Sequence, residues 1–467
     1  MSFVIASLVV MTSAAAIYWY TNRHKPIKHI LSELRYALDM QGAGAGGLID
    51  DWVNIWRNKV VLPDANSKVA VITGGARGIG AEVIRGLLKA NVTVIMGIRK
   101  PELVSELCKT MENGEKLCAF ELDLQSQKSI KGFATKVLEK CPKIHLLINN
   151  AGIMFGDYKL TEDGFESQLA TNHLGHFYLT HLLLPAIKKS GNPGDCSRVI
   201  NVSSCAHYPG KIYFEDINMK EHYDETAAYA QSKLAELMSA RYINKLLEEE
   251  GCHVRCYSVH PGIVNTDLFE KTLFRRVFPW AMRILFKSPE RGAVSILYAC
   301  FEKDLENRGG LYISNCIEGI SNKFSKNVSH QQKLFALSCE LVSVEIEKFD
   351  SPFFFSLACS SSDEDSGSGR TSSLEALDSR EHSDKLDTVL ENEPPSFPRR
   401  WPLTPLHCNV LFGESLVSLF SQVDIEKLPS SLKLLFLDNL SISSLVSCDV
   451  LFSILGLTKC NCLVIGL

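Results

Sequence analysis

"VAVITGGARGIGAEV", Val69–Val83, is the stretch that decides the fold. An uncharged apolar run ends at a glycine, and an amphipathic, helix-forming run begins a few residues later. Gly74, Gly78 and Gly80 let the backbone turn sharply and come close to a pyrophosphate, whose charge the helix N-terminus would meet. The order is TGxxxGxG, not the GxGxxG of the usual dinucleotide fingerprint. A tight strand-to-helix turn without a ligand is the plainer alternative, so the surroundings have to decide.

Those surroundings repeat the pattern. Strand-like runs ("KVAVITGG", "NVTVIMGIR", "KLCAFELDL", "HLLINNAG", "SRVINVSS", "HVRCYSVHPG") alternate with helical runs such as "GAEVIRGLLKA" and "FATKVLEKC". Near-continuous apolar strands separated by helices predict an α/β, doubly wound, mainly parallel sheet with helices on both faces, spanning residues 67–345. Asp123 closes the third strand, where a carboxylate can meet an adenine amino group, and "NNAG" at residues 149–152 closes the fourth. Both lie at strand C-terminal ends, where open α/β sheets bind ligands. Arg99 stands where an acid would hold a ribose 2′-hydroxyl, and Arg77 lies in the glycine loop. Two guanidiniums suit a 2′-phosphate, so NADP(H) is favoured and NAD(H) is the alternative.

The flanks read differently. Phe3 to Tyr20 carries no charge, ends in "YWY" and is followed by Arg23, Lys25 and Lys28. This suits a membrane anchor over residues 1–22 with its C-terminal side in the cytosol; a cleaved signal peptide is the competing reading. Residues 23–66 read as a linker broken by "GAGAGG". Residues 351–400 form an acidic, Ser-rich linker expected to be disordered, and residues 401–467 an apolar extension of no assigned role. A net charge of −4 excludes the basic excess of a nucleic-acid binder. The fifteen cysteines show no zinc-ligand spacing, so no metal site is expected and reduced thiols are the simplest reading.

"AAYAQSKLAE" places Tyr229 and Lys233 four residues apart on one helical face, where an ammonium can lower a phenol pKa. Together with TGGARGIG, Asp123, NNAG, Asn172 in "TNHLGHF", "INVSS" and "HPGIVNT", this set resembles the short-chain dehydrogenase/reductase family, with its Rossmann-type sheet, over roughly residues 68–340. The resemblance implies that Tyr229 is the general acid/base and that Lys233 lowers its pKa and contacts the nicotinamide ribose. It also implies that Ser204 orients the substrate oxygen and that Asn172 positions a relay water. Ser204 is preferred to Ser203 because longer, retinol-dehydrogenase-like members place the second serine of the pair 25 positions before the tyrosine, as here. The cofactor set implied is Thr73, Gly74, Arg77, Gly78, Ile79, Gly80, Arg99, Asp123, Asn150, Ala151, Gly152, Tyr229, Lys233, Pro261, Gly262, Val264 and Thr266. His173, His176, His207 and His260 are expected to be packing or surface residues.

"LFEKTLFRRVFPWAMRILFKSPERGA" mixes Phe269, Phe274, Phe278, Trp280 and Phe286 with Arg275, Arg276, Arg283 and Lys287. That suits a helical lid over an apolar substrate, touching an anionic membrane surface; the alternative is packing on its own domain or on a partner subunit in a homodimer. Within the family the resemblance is nearest to the polyprenol dehydrogenases, with retinol dehydrogenases on the same scaffold. It implies interconversion of a lipophilic isoprenoid alcohol and its carbonyl (polyprenol and dolichal, or retinol and retinal) at the endoplasmic reticulum or lipid droplets. A non-catalytic membrane scaffold with the same fold is the reading from another class.

Overall fold

The computed structural model describes residues 20–344, apart from 271, 273, 274, 277 and 278. The expected anchor lies almost wholly outside the described residues, as do the acidic linker and the apolar extension. Among the described residues no helix is long and apolar enough to cross a membrane.

Helix α1 (Ile27–Val53) leads into β1 (Val69–Thr73), α2 (Gly78–Lys89), β2 (Thr93–Ile98), α3 (Val104–Thr110) and β3 (Leu117–Glu121). Then come α4 (Gln127–Lys140), β4 (Leu146–Asn149), α5 (Gly175–Lys188), β5 (Ser197–Val202), α6 (Glu225–Glu249) and β6 (Val254–His260). Short helix α7 (Pro279–Leu285), α8 (Pro289–Phe301), strands β7 (Leu311–Ser314) and β8 (Ile317–Glu318), and α9 (Val328–Leu341) complete the order. Eight strands make one sheet, β3-β2-β1-β4-β5-β6-β7-β8, in which only the β7–β8 pairing is antiparallel.

Strand β1 shows why its sequence is apolar throughout. Val71 enters the core under α4, α5 and α6, with Phe133, Leu183 and Leu247. Its neighbours Ala70 and Ile72 enter the opposite core under α2 and α8, with Leu87 and Leu297. Alternate side chains leave opposite faces of a strand, so in a sheet covered on both sides both sets of positions favour apolar residues. Beside Gly86 the Leu297 side chain comes so close that a Cβ would lie 2.4 Å from it, which sets the tight contact of α2 with α8. The chain winds outward in opposite senses from β1 and β4, and the crevice between their C-terminal ends is the place where such sheets bind ligands.

The expected linker is corrected by α1. This helix runs straight through "GAGAGG". Ala43 and Gly47 are buried, and a Cβ on Gly47 would lie 3.2 Å from the Cys205 sulfur and 3.3 Å from Ile263. The small residues form a packing face that lets the helix lie against the domain, which offsets the helix-breaking tendency of glycine. Tyr36 packs with Met219, Ala227 and Ala228, and its hydroxyl meets that of Tyr213 at 2.6 Å.

Candidate functional site

The glycine loop is tied to the end of β4. Thr73 is fully buried, and its hydroxyl oxygen accepts the amides of Asn150 and Ala151, each at 3.0 Å. The Asn150 amide group donates to the carbonyls of Thr73 (3.0 Å) and Gly74 (2.8 Å). Gly74 and Gly78 have φ of +70° and +60°, which favours glycine. A Cβ on Gly80 would sit 2.1 Å from the Gly74 carbonyl oxygen, so the turn closes only with glycine there. Helix α2 starts at Gly78 with no side chain capping it, leaving Ile79, Gly80 and their neighbours to present backbone N–H groups. This cradle fits a dinucleotide pyrophosphate.

Around the cradle, Arg99 is exposed at the end of β2. Arg77 pairs with Asp267 at 3.0 Å, and Arg275 reaches the same carboxylate at 3.6 Å. Asp123 turns one oxygen onto its own loop, accepting the Gln125 amide at 2.9 Å. Gly152 lies beside Asn172 and Lys233: a Cβ there would be 3.3 Å from the Asn172 oxygen and 3.6 Å from Lys233 Nζ.

Tyr229 is 4% exposed on α6. Burial drives its phenol well above its ordinary pKa, a hydrogen bond from Ser204 opposes this, and the Glu236 carboxylate pushes the same way as burial. The two serines after β5 separate cleanly. The Ser203 hydroxyl is buried and donates to the Lys233 carbonyl at 2.9 Å, whereas Ser204 faces Tyr229 and accepts the Ala206 amide at 3.2 Å. Lys233 Nζ lies 5.9 Å from the Tyr229 ring centre and donates to the Val202 carbonyl (2.9 Å) and to Glu236 (2.7 Å). Asn172 sits in a π-helical turn, Ala170–Leu174, ahead of α5. Its side chain bridges both backbone groups of Ile153 (2.9 and 3.0 Å) and the Ser232 hydroxyl (2.9 Å). Such turns recur at functional sites because they break helical pairing locally.

The four histidines are buried packing residues, none on the surface, and desolvation pushes the pKa of each down to about 3. Each is a neutral ring in the core.

The "PGIVNT" loop is held from behind. Gly262 has φ +93°, and a Cβ there would lie 2.6 Å from Lys287 Nζ and 2.7 Å from Asp51. Asp51 of α1 accepts the Ile263 amide at 2.7 Å and pairs with Lys287 at 2.8 Å. Val264 bridges to Lys287, and the Thr266 methyl would touch a Cβ at Gly78 at 3.4 Å, bringing this loop against the glycine loop. Pro261 and Val264 are buried. Lys287 is therefore a buried partner of Asp51 and not one of the surface cations expected of a lid.

A wall of apolar side chains surrounds Tyr229: Met154 and Ala206, with Met40, Phe155, Leu268 and Phe269 packed against them. The Phe155 ring meets the tyrosine edge-on at 5.9 Å, and Phe269 meets Phe286 at 5.2 Å. Trp280 of α7 is 41% exposed, and Phe274 and Phe278 lie outside the described residues. Met40, Asp51 and Glu236 are absent from the sequence-based set. Glu236 had a local signal, one helical turn beyond Lys233, but Met40 and Asp51 had none, because only the tertiary packing of α1 brings them here.

A family profile described as "short chain dehydrogenase" matches residues 68–275. Over 326 residues the chain is 36% identical to human polyprenol dehydrogenase, an alignment covering 67% of this chain and 98% of that one. Human retinol dehydrogenase 11 is 36% identical over 283 residues, covering 60% of this chain and 87% of the other. Among solved structures, an uncharacterised protein from Mycobacterium paratuberculosis is 34% identical, with a TM-score of 0.51, covering 61% of this chain and 96% of that one.

Proposed function

Because the chain belongs to the short-chain dehydrogenase family and is an oxidoreductase of CH–OH groups, we propose that it interconverts a lipophilic isoprenoid alcohol and its carbonyl, polyprenol and dolichal first among them. The observation that carries this reading is the apolar wall of Met40, Met154, Phe155, Leu268 and Phe269 closing on Tyr229, a buried phenol that faces Ser204 with Lys233 Nζ 5.9 Å from its ring. A hydrophobic pocket with a few convergent polar groups selects an oily substrate and fixes one oxygen in it.

The cofactor is a nicotinamide dinucleotide, which when bound supplies or accepts the hydride. Thr73, Gly74, Gly78, Ile79 and Gly80 would hold its pyrophosphate, Asp123 its adenine, and Asn150, Ala151 and Gly152 its middle section. Pro261, Gly262, Val264 and Thr266 would hold its carboxamide end. NADP(H) is preferred in this reading because Arg77 and Arg99 flank the place of a 2′-phosphate and β2 is followed by Arg99 where an acid would hold a ribose 2′-hydroxyl.

Tyr229 donates a proton to the carbonyl oxygen in reduction and removes it from the alcohol in oxidation. Ser204 holds that same oxygen, Lys233 makes the phenolate accessible, and Asn172 fixes the Ile153 turn against α6 and orders the relay behind the lysine. The catalytic unit is residues 67–345 with α1 added, attached to the cytosolic face of the endoplasmic reticulum or a lipid droplet through residues 1–22.

The test is purified protein with NADPH or NADH and dolichal, retinal and a steroid ketone in parallel. NADPH-dependent turnover of dolichal that disappears in Tyr229→Phe supports the reading. Retinal turnover alone would move it to the retinoid branch, and turnover of none, identical in both proteins, would overturn it.

A further inference from the structure

Glu236 lies one helical turn past Lys233 on α6 and is 1% exposed. One carboxylate oxygen accepts Lys233 Nζ at 2.7 Å; the other has no hydrogen-bond partner and stands 3.9 Å from His176 Nδ1. That histidine does not serve it. His176 Nδ1 is 2.9 Å from the Asn172 carbonyl, which can only accept, so Nδ1 carries the hydrogen and Nε2 takes the Thr73 hydroxyl at 2.8 Å. Glu236 lines a cavity about the size of one water molecule with His176, Thr180, Asn201 and Ser239, its remaining wall being mostly apolar. The Ser239 hydroxyl is likewise buried without a partner. Glu236 and Ser239 thus each carry an unpaired polar atom and line one water-sized space, which suits a bound water, since buried polar groups without partners are otherwise rare.

The titratable and charged groups that face Glu236 are Lys233 and, beyond it, Tyr229 on α6 itself, His173 and His176 from the turn and helix α5, and Cys256 from β6. The two histidines are neutral at working pH, with pKa pushed down to about 3, and burial drives the Cys256 thiol upward. Lys233 is thus the one cation close to the carboxylate among the described residues.

We propose that Glu236 is a positioning residue for the reaction: with one buried water it clamps Lys233 from the side away from the cofactor, and its charge sets the pH at which Tyr229 changes between phenol and phenolate. The inference rests on the roles proposed above for Tyr229 and Lys233. The lysine ammonium favours phenolate, and a carboxylate 2.7 Å from that ammonium offsets it. Burial also raises the Glu236 carboxyl above the ordinary carboxylate range, against the opposing pull of Lys233.

The experiment compares full-length wild type, Glu236→Gln and Glu236→Asp. Two quantities are read: the pH profile of kcat for alcohol oxidation, and the ultraviolet titration of tyrosinate in the protein without cofactor, with Tyr229→Phe subtracted. The neutral isostere should move both midpoints to lower pH by about one unit, leave the KM for cofactor within about two-fold, and Glu236→Asp should restore most of the wild-type profile. Superimposable profiles and titrations, with only a lower melting temperature in Glu236→Gln, would overturn the proposal and leave Glu236 a structural partner. If wild type turns over no substrate, the reading of function fails, while the tyrosinate titration still decides this inference.

Discussion

Asp51, near the end of α1, and Lys287, just ahead of α8, form a buried ion pair at 2.8 Å, their side chains 3% and 5% exposed. The same carboxylate accepts the Ile263 amide at 2.7 Å, so an N-terminal helix outside the family's matched region supports the loop proposed to hold the carboxamide. Breaking a buried pair strands the surviving charge, which typically destabilises by about 3–5 kcal/mol. Asp51→Ala should therefore lower unfolding free energy by about 3 kcal/mol and weaken NADPH binding. The double variant Asp51→Leu with Lys287→Met should recover most of the stability in urea titrations. A single-variant loss below about 1 kcal/mol would mean the pair is solvated, as surface pairs are.

The serines after β5 should separate in kinetics as they do in space. Ser204→Ala removes the hydroxyl at Tyr229 and should lower kcat by about 10²-fold, with little change in melting temperature. Ser203→Ala removes the hydrogen bond to the Lys233 carbonyl and should cost about 1 kcal/mol of stability, with kcat within a few-fold. Steady-state kinetics beside thermal melts distinguish the two, and reversed phenotypes would exchange their roles.

Met40 is the part of α1 that reaches the Tyr229 wall. Truncation to alanine removes apolar surface of the order of 2 kcal/mol when a methionine side chain is fully covered. Met40→Ala should raise KM for the proposed isoprenoid substrate by about ten-fold, leave KM for the nicotinamide cofactor unchanged and alter kcat little. An equal fall in kcat would place Met40 in contact with the catalytic groups instead.

Arg77 is held by Asp267 at 3.0 Å, so a bound 2′-phosphate would compete with that carboxylate for the guanidinium. Asp267→Asn should tighten NADPH binding, and Arg77→Ala combined with Arg99→Ala should weaken it by about ten-fold or more while NADH affinity holds. Fluorescence titration with both nucleotides measures this. Equal effects on both would remove the basis for an NADP(H) preference.

His173, His176, His207 and His260 carry folded-state pKa values near 3, below the ordinary value of 6.5. The unfolded chain therefore binds more protons than the folded one between these values, and stability falls as pH drops below about 6.5. Each ring should forfeit about 2 kcal/mol between roughly pH 7 and pH 5, so melting temperature should fall steeply over that range. Both His260 nitrogens lack a hydrogen-bond partner, so His260→Phe should flatten the dependence with little loss near pH 7. A flat wild-type profile would show these rings to be reachable by water.

Much of the fold was legible because it is local chemistry. Strand β1, its glycine turn and α2 follow from a run of apolar residues meeting glycines that no other residue can replace, as the 2.1 Å approach at Gly80 shows. Tyr229 and Lys233 were legible for the same reason: a spacing of four residues is a statement about one helix. Helix α1 was not, since glycines that read as a break in isolation are a contact surface once Cys205 and Ile263 lie against them.

The sequence by itself therefore determined the doubly wound sheet and the glycine turn between β1 and α2, and it placed Tyr229 and Lys233 on one helical face, each encoded by residues close together in the chain or by apolar periodicity. Tertiary structure alone decided that Ser203 turns back to the Lys233 carbonyl, that Lys287 is buried against Asp51, that Met40 packs in the apolar wall around Tyr229, and that Glu236 takes a hydrogen bond from Lys233. Those relations depend on which side chains from distant segments lose water together, and desolvation is a property of the packed molecule that no short stretch of sequence carries.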